Sequence, residues 1–123
     1  MNLRVIQYAD IVAQIKTLCL DANCNLPADV WDALIQAQKD EASPLGQNVL
    51  DTILQNAQIA KEKKMPLCQD TGMVVVFAEV GQDVHIKGGL LSDAVDEGVR
   101  QAYQEGYFRK SVVGDPIERV NTK

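Results

Sequence analysis

The sequence is poor in aromatic residues, with one Trp, three Tyr and two Phe among 123 residues, and it is poor in positive charge. Twelve Lys and Arg stand against 17 Asp and Glu, a formal net charge of −5. An acidic chain with few rings to stack on bases has the wrong electrostatic footprint for a phosphate backbone or an anionic membrane, which argues against nucleic acid and lipid as partners. Long hydrophobic runs are missing as well. The longest, Met73 to Ala78, falls far short of the roughly 20 residues a membrane span needs. Near the N-terminus Arg4, Asp10 and Lys16 leave no apolar block of signal-peptide type. The expectation is a cytoplasmic protein.

Cysteine and histidine are also scarce. Cys19, Cys24 and Cys68 are odd in number and none stands in C-x-x-C spacing, which excludes a complete disulfide framework and a self-contained zinc site. His85 is the single histidine, so a cysteine nucleophile would have little choice of base. No internal repeat, low-complexity tract or like-charge block occurs. Lys61-Glu62-Lys63-Lys64 reads as the solvated end of a helix, favourably placed for the macrodipole.

What the sequence does contain is helical periodicity. Ile11, Val12, Ile15, Leu18, Cys19 and Ala22 form one stripe over Ala9 to Ala22, with Asp10 as the expected N-cap. Pro27 punctuates the chain before a second pattern through Val30, Leu34 and Ala37 that should fade near Glu41. Ser43-Pro44 is a helix-start pair, and Val49, Leu50, Ile53, Leu54, Ala57 and Ala60 then predict a third helix reaching Lys61 to Lys64. Pro66 stops it. Met73 to Val80, bounded by Gly72 and Gly81, predicts a strand buried on both faces. A turn at Gly81-Gln82-Asp83 leads to a short second strand around Val84 to Ile86. After Gly88-Gly89, the spacing of Leu91, Ala94, Val95, Val99, Ala102 and Tyr103 predicts a fourth helix capped by Gly106. Tyr107 to Lys123 reads as an unpaired extended segment that looks interrupted. The predicted class is α/β or α+β: N-terminal helices, a small sheet and a further packed helix. At this length the starting expectation is one domain that buries about two-thirds of its unfolded surface.

The stretch with chemistry is Pro66-Leu67-Cys68-Gln69-Asp70-Thr71-Gly72, where a thiol, an amide, a carboxylate and a hydroxyl are adjacent. Cys68 has three possible roles: metal or cluster ligand, nucleophile, or small buried hydrophobe, the last being the usual fate of such a cysteine. One cysteine does not hold a cluster that needs three or four. Asp83 and His85 share a face by the period of two, most simply as a solvated strand edge.

PLCQDTG, the apolar segment after it, VGQDVHIKGG, DAVDEGVRQAY, and EGYFRKSVV followed by NT resemble, in that order, the N-terminal part of iron–sulfur-dependent class I fumarate hydratases. The likeness extends to LP, SPLG and NAQIA upstream. The two-subunit type is matched in its alpha subunit, and the related alpha subunit of L(+)-tartrate dehydratase shares CQDTG.

The resemblance implies a hydro-lyase of the tricarboxylic acid cycle type that reversibly hydrates fumarate to malate. It implies a [4Fe-4S] cluster with Cys68 as one ligand and the other two cysteines outside this chain, since Cys19 and Cys24 do not match. Gln69, Asp70 and Arg109 match positions that bind the dicarboxylate substrate, and a guanidinium suits that task because its planar donors engage a carboxylate bidentately. Lys110 gains nothing comparable and reads as surface charge; Thr71 and Gly72 support the loop. The catalytic acid/base residue is expected outside this chain, as are a beta subunit and homo-oligomerisation. On this reading residues 1–123 are the N-terminal part of an alpha-subunit-like domain, truncated at the C-terminus and inactive alone. The competing readings are L(+)-tartrate dehydratase and, for the isolated chain, a non-catalytic assembly module.

Overall fold

The computed structural model describes residues 3–122 and has the element order β1 (Arg4–Gln7), α1 (Tyr8–Cys24), α2 (Ala28–Asp40), α3 (Pro44–Lys63), β2 (Val84–Lys87) and α4 (Leu91–Glu105). This is the expected class, helices with a small sheet. The chain divides into two compact units: one takes residues up to Leu20 and from Gln69 onward, the other Asp21–Cys68.

The Asp21–Cys68 unit is a helical hairpin of α2 and α3. Pro27 precedes α2 in extended conformation, where its missing N–H costs nothing. Ser43 caps α3 by accepting the Gly46 N–H at 3.5 Å, and Pro44 takes the first helical position. The link between the helices is tied by Ser43 N–H to Glu41 Oε1 at 2.8 Å and by Gln47 Nε2 to the Glu41 carbonyl at 2.7 Å. Lys64 ends α3 in the left-handed region at φ 51°, with its N–H on the Ala60 carbonyl. Pro66 forbids the helix from resuming.

The other unit is built around α4. Ala94, Gly98 and Ala102 are buried at four-residue intervals and form its inward stripe. A Cβ on Gly98 would lie 2.7 Å from Ile15 Cβ and 2.9 Å from the Val12 carbonyl, so the missing side chain is what lets α4 approach α1. Lys16 and Glu105 pair across these helices. At the start of α4, the Tyr8 ring occupies the space that a side chain on Gly89 would need, 2.5 Å from its Cδ2, and Tyr8 OH donates to the Asp93 carbonyl at 3.1 Å.

Three expectations are corrected. Met73 to Val80 forms no strand and is largely exposed; among the described residues its backbone has no partner strand, and an extended run cannot be a buried strand without one. The sheet instead pairs β1 with β2 in parallel, Arg4 opposite Val84 through Gln7 opposite Lys87. β1 has four residues, too short for periodicity to show it. Asp10 lies inside the first turn of α1 and is not its N-cap, because the helix starts at Tyr8; there it complements the helix dipole. Gly106 caps α4 as expected, at φ −79°, and the left-handed residue beside it is Tyr107 at φ 54°. Glycine is required at 106 for space: a Cβ would meet the Phe108 ring at 2.6 Å. Finally, the segment after Tyr107 is paired. Val113 bridges Asn121 antiparallel, Thr122 N–H donates to the Val112 carbonyl at 3.0 Å, and Asp115 accepts the Ile117 and Glu118 N–H groups at 2.8 Å each.

Candidate functional site

Cys68 closes the helical unit and is exposed. The residue before it is fixed on both sides: Leu67 N–H donates to the Asn23 carbonyl at 2.9 Å, and Asn56 Nδ2 donates to the Leu67 carbonyl at 2.7 Å. Asn56 lies on α3 and Asn23 at the end of α1, so helix geometry sets where Cys68 begins.

From Gln69 the chain belongs to the other unit, and a ladder of long-range bonds ties this loop to the residues after α4. Thr71 Oγ1 donates to the Arg109 carbonyl at 2.7 Å. Ser111 Oγ contacts Asp70 Oδ1 at 3.4 Å. Tyr103 OH reaches the Thr71 carbonyl at 2.9 Å and the Gly72 carbonyl at 3.3 Å. Gly72 sits at φ +65°, a conformation in which a side chain would be strained. The loop and the YFRKS segment are therefore one joined structure: Asp70 and the backbone of Arg109 are brought together, while the Gln69 and Arg109 side chains stand exposed. Asn121 Nδ2 fixes the next peptide by donating to the Lys110 carbonyl at 2.5 Å.

Tyr103 is the anchor of this ladder. It is buried, and its ring meets Phe108 edge to face, with centroids 5.4 Å apart at 89°. Burial pushes its phenol pKa up, opposed by the bond to Thr71 and reinforced by the nearby Cys19 and Asp70. Sequence reasoning placed Tyr103 on an apolar helix stripe and missed this role. The signal was available, since a buried tyrosine hydroxyl requires a polar partner. An open groove of about 420 Å³ adjoins the ladder, lined by Val74, Val95, Val99, Tyr103, Lys110 and Ser111 among others.

His85 is exposed on β2, while Val84 and Ile86 face inward; Asp83 lies in the preceding turn. Among the described residues no three His, Cys, Asp or Glu side chains converge to hold a metal ion. Cys19 and Cys24 are buried, and burial raises both thiol pKa values, with Asp21 adding to the effect on Cys24. Neither is disposed to be a thiolate ligand. Cys68 alone of the three presents its residue to solvent, so the donors present suit one corner of a thiolate-held group and no more.

The family model described as fumarate hydratase (Fumerase) matches residues 12–123. This chain belongs to that family. It is 37% identical over 116 residues to a putative L(+)-tartrate dehydratase subunit alpha of Methanocaldococcus jannaschii, a match covering 94% of this chain and 39% of the relative. It is 33% identical over 97 residues to the L(+)-tartrate dehydratase subunit alpha of Escherichia coli K12, covering 79% of this chain and 31% of that protein. The chain thus spans between about a third and two fifths of the length of these relatives. The CQDTG and YFRKS segments both fall within the family match.

Proposed function

We propose that this chain supplies one wall of the active site of a hydro-lyase that reversibly hydrates fumarate to malate. The observation that carries the proposal is the ladder from Asp70 and Thr71 to Arg109 and Ser111, which joins the two segments with family-matched binding residues. Arg109 offers planar paired donors to a substrate carboxylate. Asp70, as a carboxylate, only accepts, so its place is against a hydroxyl or water of the substrate and not against its charge. Gln69 both donates and accepts and can bridge the two. Holding the substrate in register in this way lowers the entropic part of the barrier.

Cys68 contributes one thiolate to a [4Fe-4S] cluster whose other two cysteine ligands lie outside these 123 residues. Such a cluster, when bound, supplies a Lewis acid. The acid/base residue and a beta subunit complete the site, and the relatives' designation as alpha subunits supports that partner. L(+)-tartrate is the second candidate substrate, favoured by the names of those same relatives.

The test uses the complete subunit with its partner, prepared anaerobically. Cys68→Ser is expected to lose bound iron and sulfide and all hydratase activity; retention of both would remove Cys68 from the ligand set. Arg109→Ala is expected to raise KM for the dicarboxylate by about tenfold to a hundredfold, the range for losing a charge-assisted pair, with iron content unchanged. Turnover of fumarate against L(+)-tartrate by the unmodified enzyme decides the substrate.

A further inference from the structure

The segment from Met73 to Val80 has the composition of a strand without a strand's partners. Its backbone makes no hydrogen bond to another segment among the described residues, although a polar backbone in an apolar run ordinarily finds one. Of its side chains only Val74 is withdrawn from solvent. Val74 is half-buried and lines the groove with Val95, Val99 and Tyr103, and Val76 is 40% exposed. On the opposite face Met73, Val75 and Phe77 are 74%, 68% and 95% exposed. Val76 and Val80 on the Val74 side are exposed as well, the opposite side is bare, and among the described residues no backbone hydrogen bond occupies either edge.

A bare apolar face with open edges is the template for strand addition. The sheet of β1 and β2 does not use it. The length of the relatives indicates the occupant: the match covers 39% of the M. jannaschii protein, so about three fifths of that protein has no counterpart in these 123 residues. We infer that Met73–Val80 is a docking strand, completed by an extended apolar segment from the portion of the subunit that those relatives possess and these residues do not include. The added strand hydrogen-bonds to a free edge of 73–80 and helps enclose Val75 and Phe77. This inference stands on exposure, pairing and family length, independently of the cluster and substrate.

Amide hydrogen exchange tests it in two proteins. One is the 123-residue chain; the other is a chimera in which this chain replaces the matched region of the M. jannaschii relative. The amides of 73–80 are expected to exchange freely in the chain alone and ~100-fold or more slowly in the chimera. Val75→Pro, which removes a ladder donor, is expected to abolish that protection while leaving α4 protected. The intact M. jannaschii protein provides a measurement that does not need the chimera to fold, and its aligned segment is expected to be protected. Free exchange there, or in a chimera whose helices are protected, overturns the inference. Protection in the isolated chain also overturns it: if it grows with concentration the face belongs to a second copy, and if it does not the segment pairs within its own chain.

Discussion

The helical hairpin and the unit built on α4 are held together by different kinds of bond. In the hairpin several side-chain hydrogen bonds span just four residues: Gln36 to Asp40, Gln55 to Asp51, Gln58 to Glu62. In the other unit the decisive bonds span 85 residues from Tyr8 to Asp93, 38 from Thr71 to Arg109 and 32 from Tyr103 to Thr71. Local bonds make helices that form from nearby sequence; distant bonds assemble a site. The candidate binding residues Gln69, Asp70 and Arg109 lie in the second kind of structure, and the candidate ligand Cys68 is mounted on the first.

The contrast predicts that damage stays within one unit. The largest effect is expected from Gly98→Val, which forces a branched side chain into the Ile15 and Val12 backbone contact. Overpacking of this kind costs roughly 1–3 kcal/mol. Exchange of α4 amides should accelerate accordingly, while α2 and α3 keep their protection; equal loss in both units would erase the distinction. A smaller effect is expected from Thr71→Val and Tyr103→Phe, each removing one rung of the ladder at about 0.5–1.5 kcal/mol. Residues 109 to 111 should then exchange faster with the helical hairpin unchanged.

The smallest effect concerns pH. Glu97 is lowered to about 2, first by its hydrogen bond from Arg100 and then by that from Gln101. A depressed carboxyl stabilises the folded state above its unfolded pKa, so this contribution is complete above about 4.5 and is lost as the pH falls toward 2. Far-UV circular dichroism of the Glu97→Gln variant should lack the part of the acid transition that the parent shows in that window. The pair is solvent-exposed and screened, so the difference is slight.

Legibility in the sequence followed the same division. Ser43-Pro44, Pro27 and Pro66 act through their own backbone geometry: α2 and α3 start where the first two require, and α3 stops short of the third. The fourth helix was equally clear from its period. Met73 to Val80 misled because β-propensity describes what a segment would do beside a partner, and no local pattern says whether the partner is at hand. β1 gave four residues and no turn signal, and its pairing with β2 is a contact across some eighty positions. At the site, the motif residues could be matched to a family, yet the ladder through Tyr103 and Ser111 could not be seen, because hydrogen bonds between distant loops leave no spacing in the sequence. Gly106 shows the subtler case: the cap was legible at its position, but not the room that its missing side chain leaves to Phe108.

The clamp on Leu67 has a consequence for binding entropy. Ordering one residue's backbone costs about 1–2 kcal/mol, and for Leu67 that ordering is complete once α1 and α3 have formed, with its N–H on Asn23 and its carbonyl held by Asn56. A group held by the Cys68 thiol would meet a pre-organised backbone on its N-terminal side, with that part of the ordering cost already met by folding.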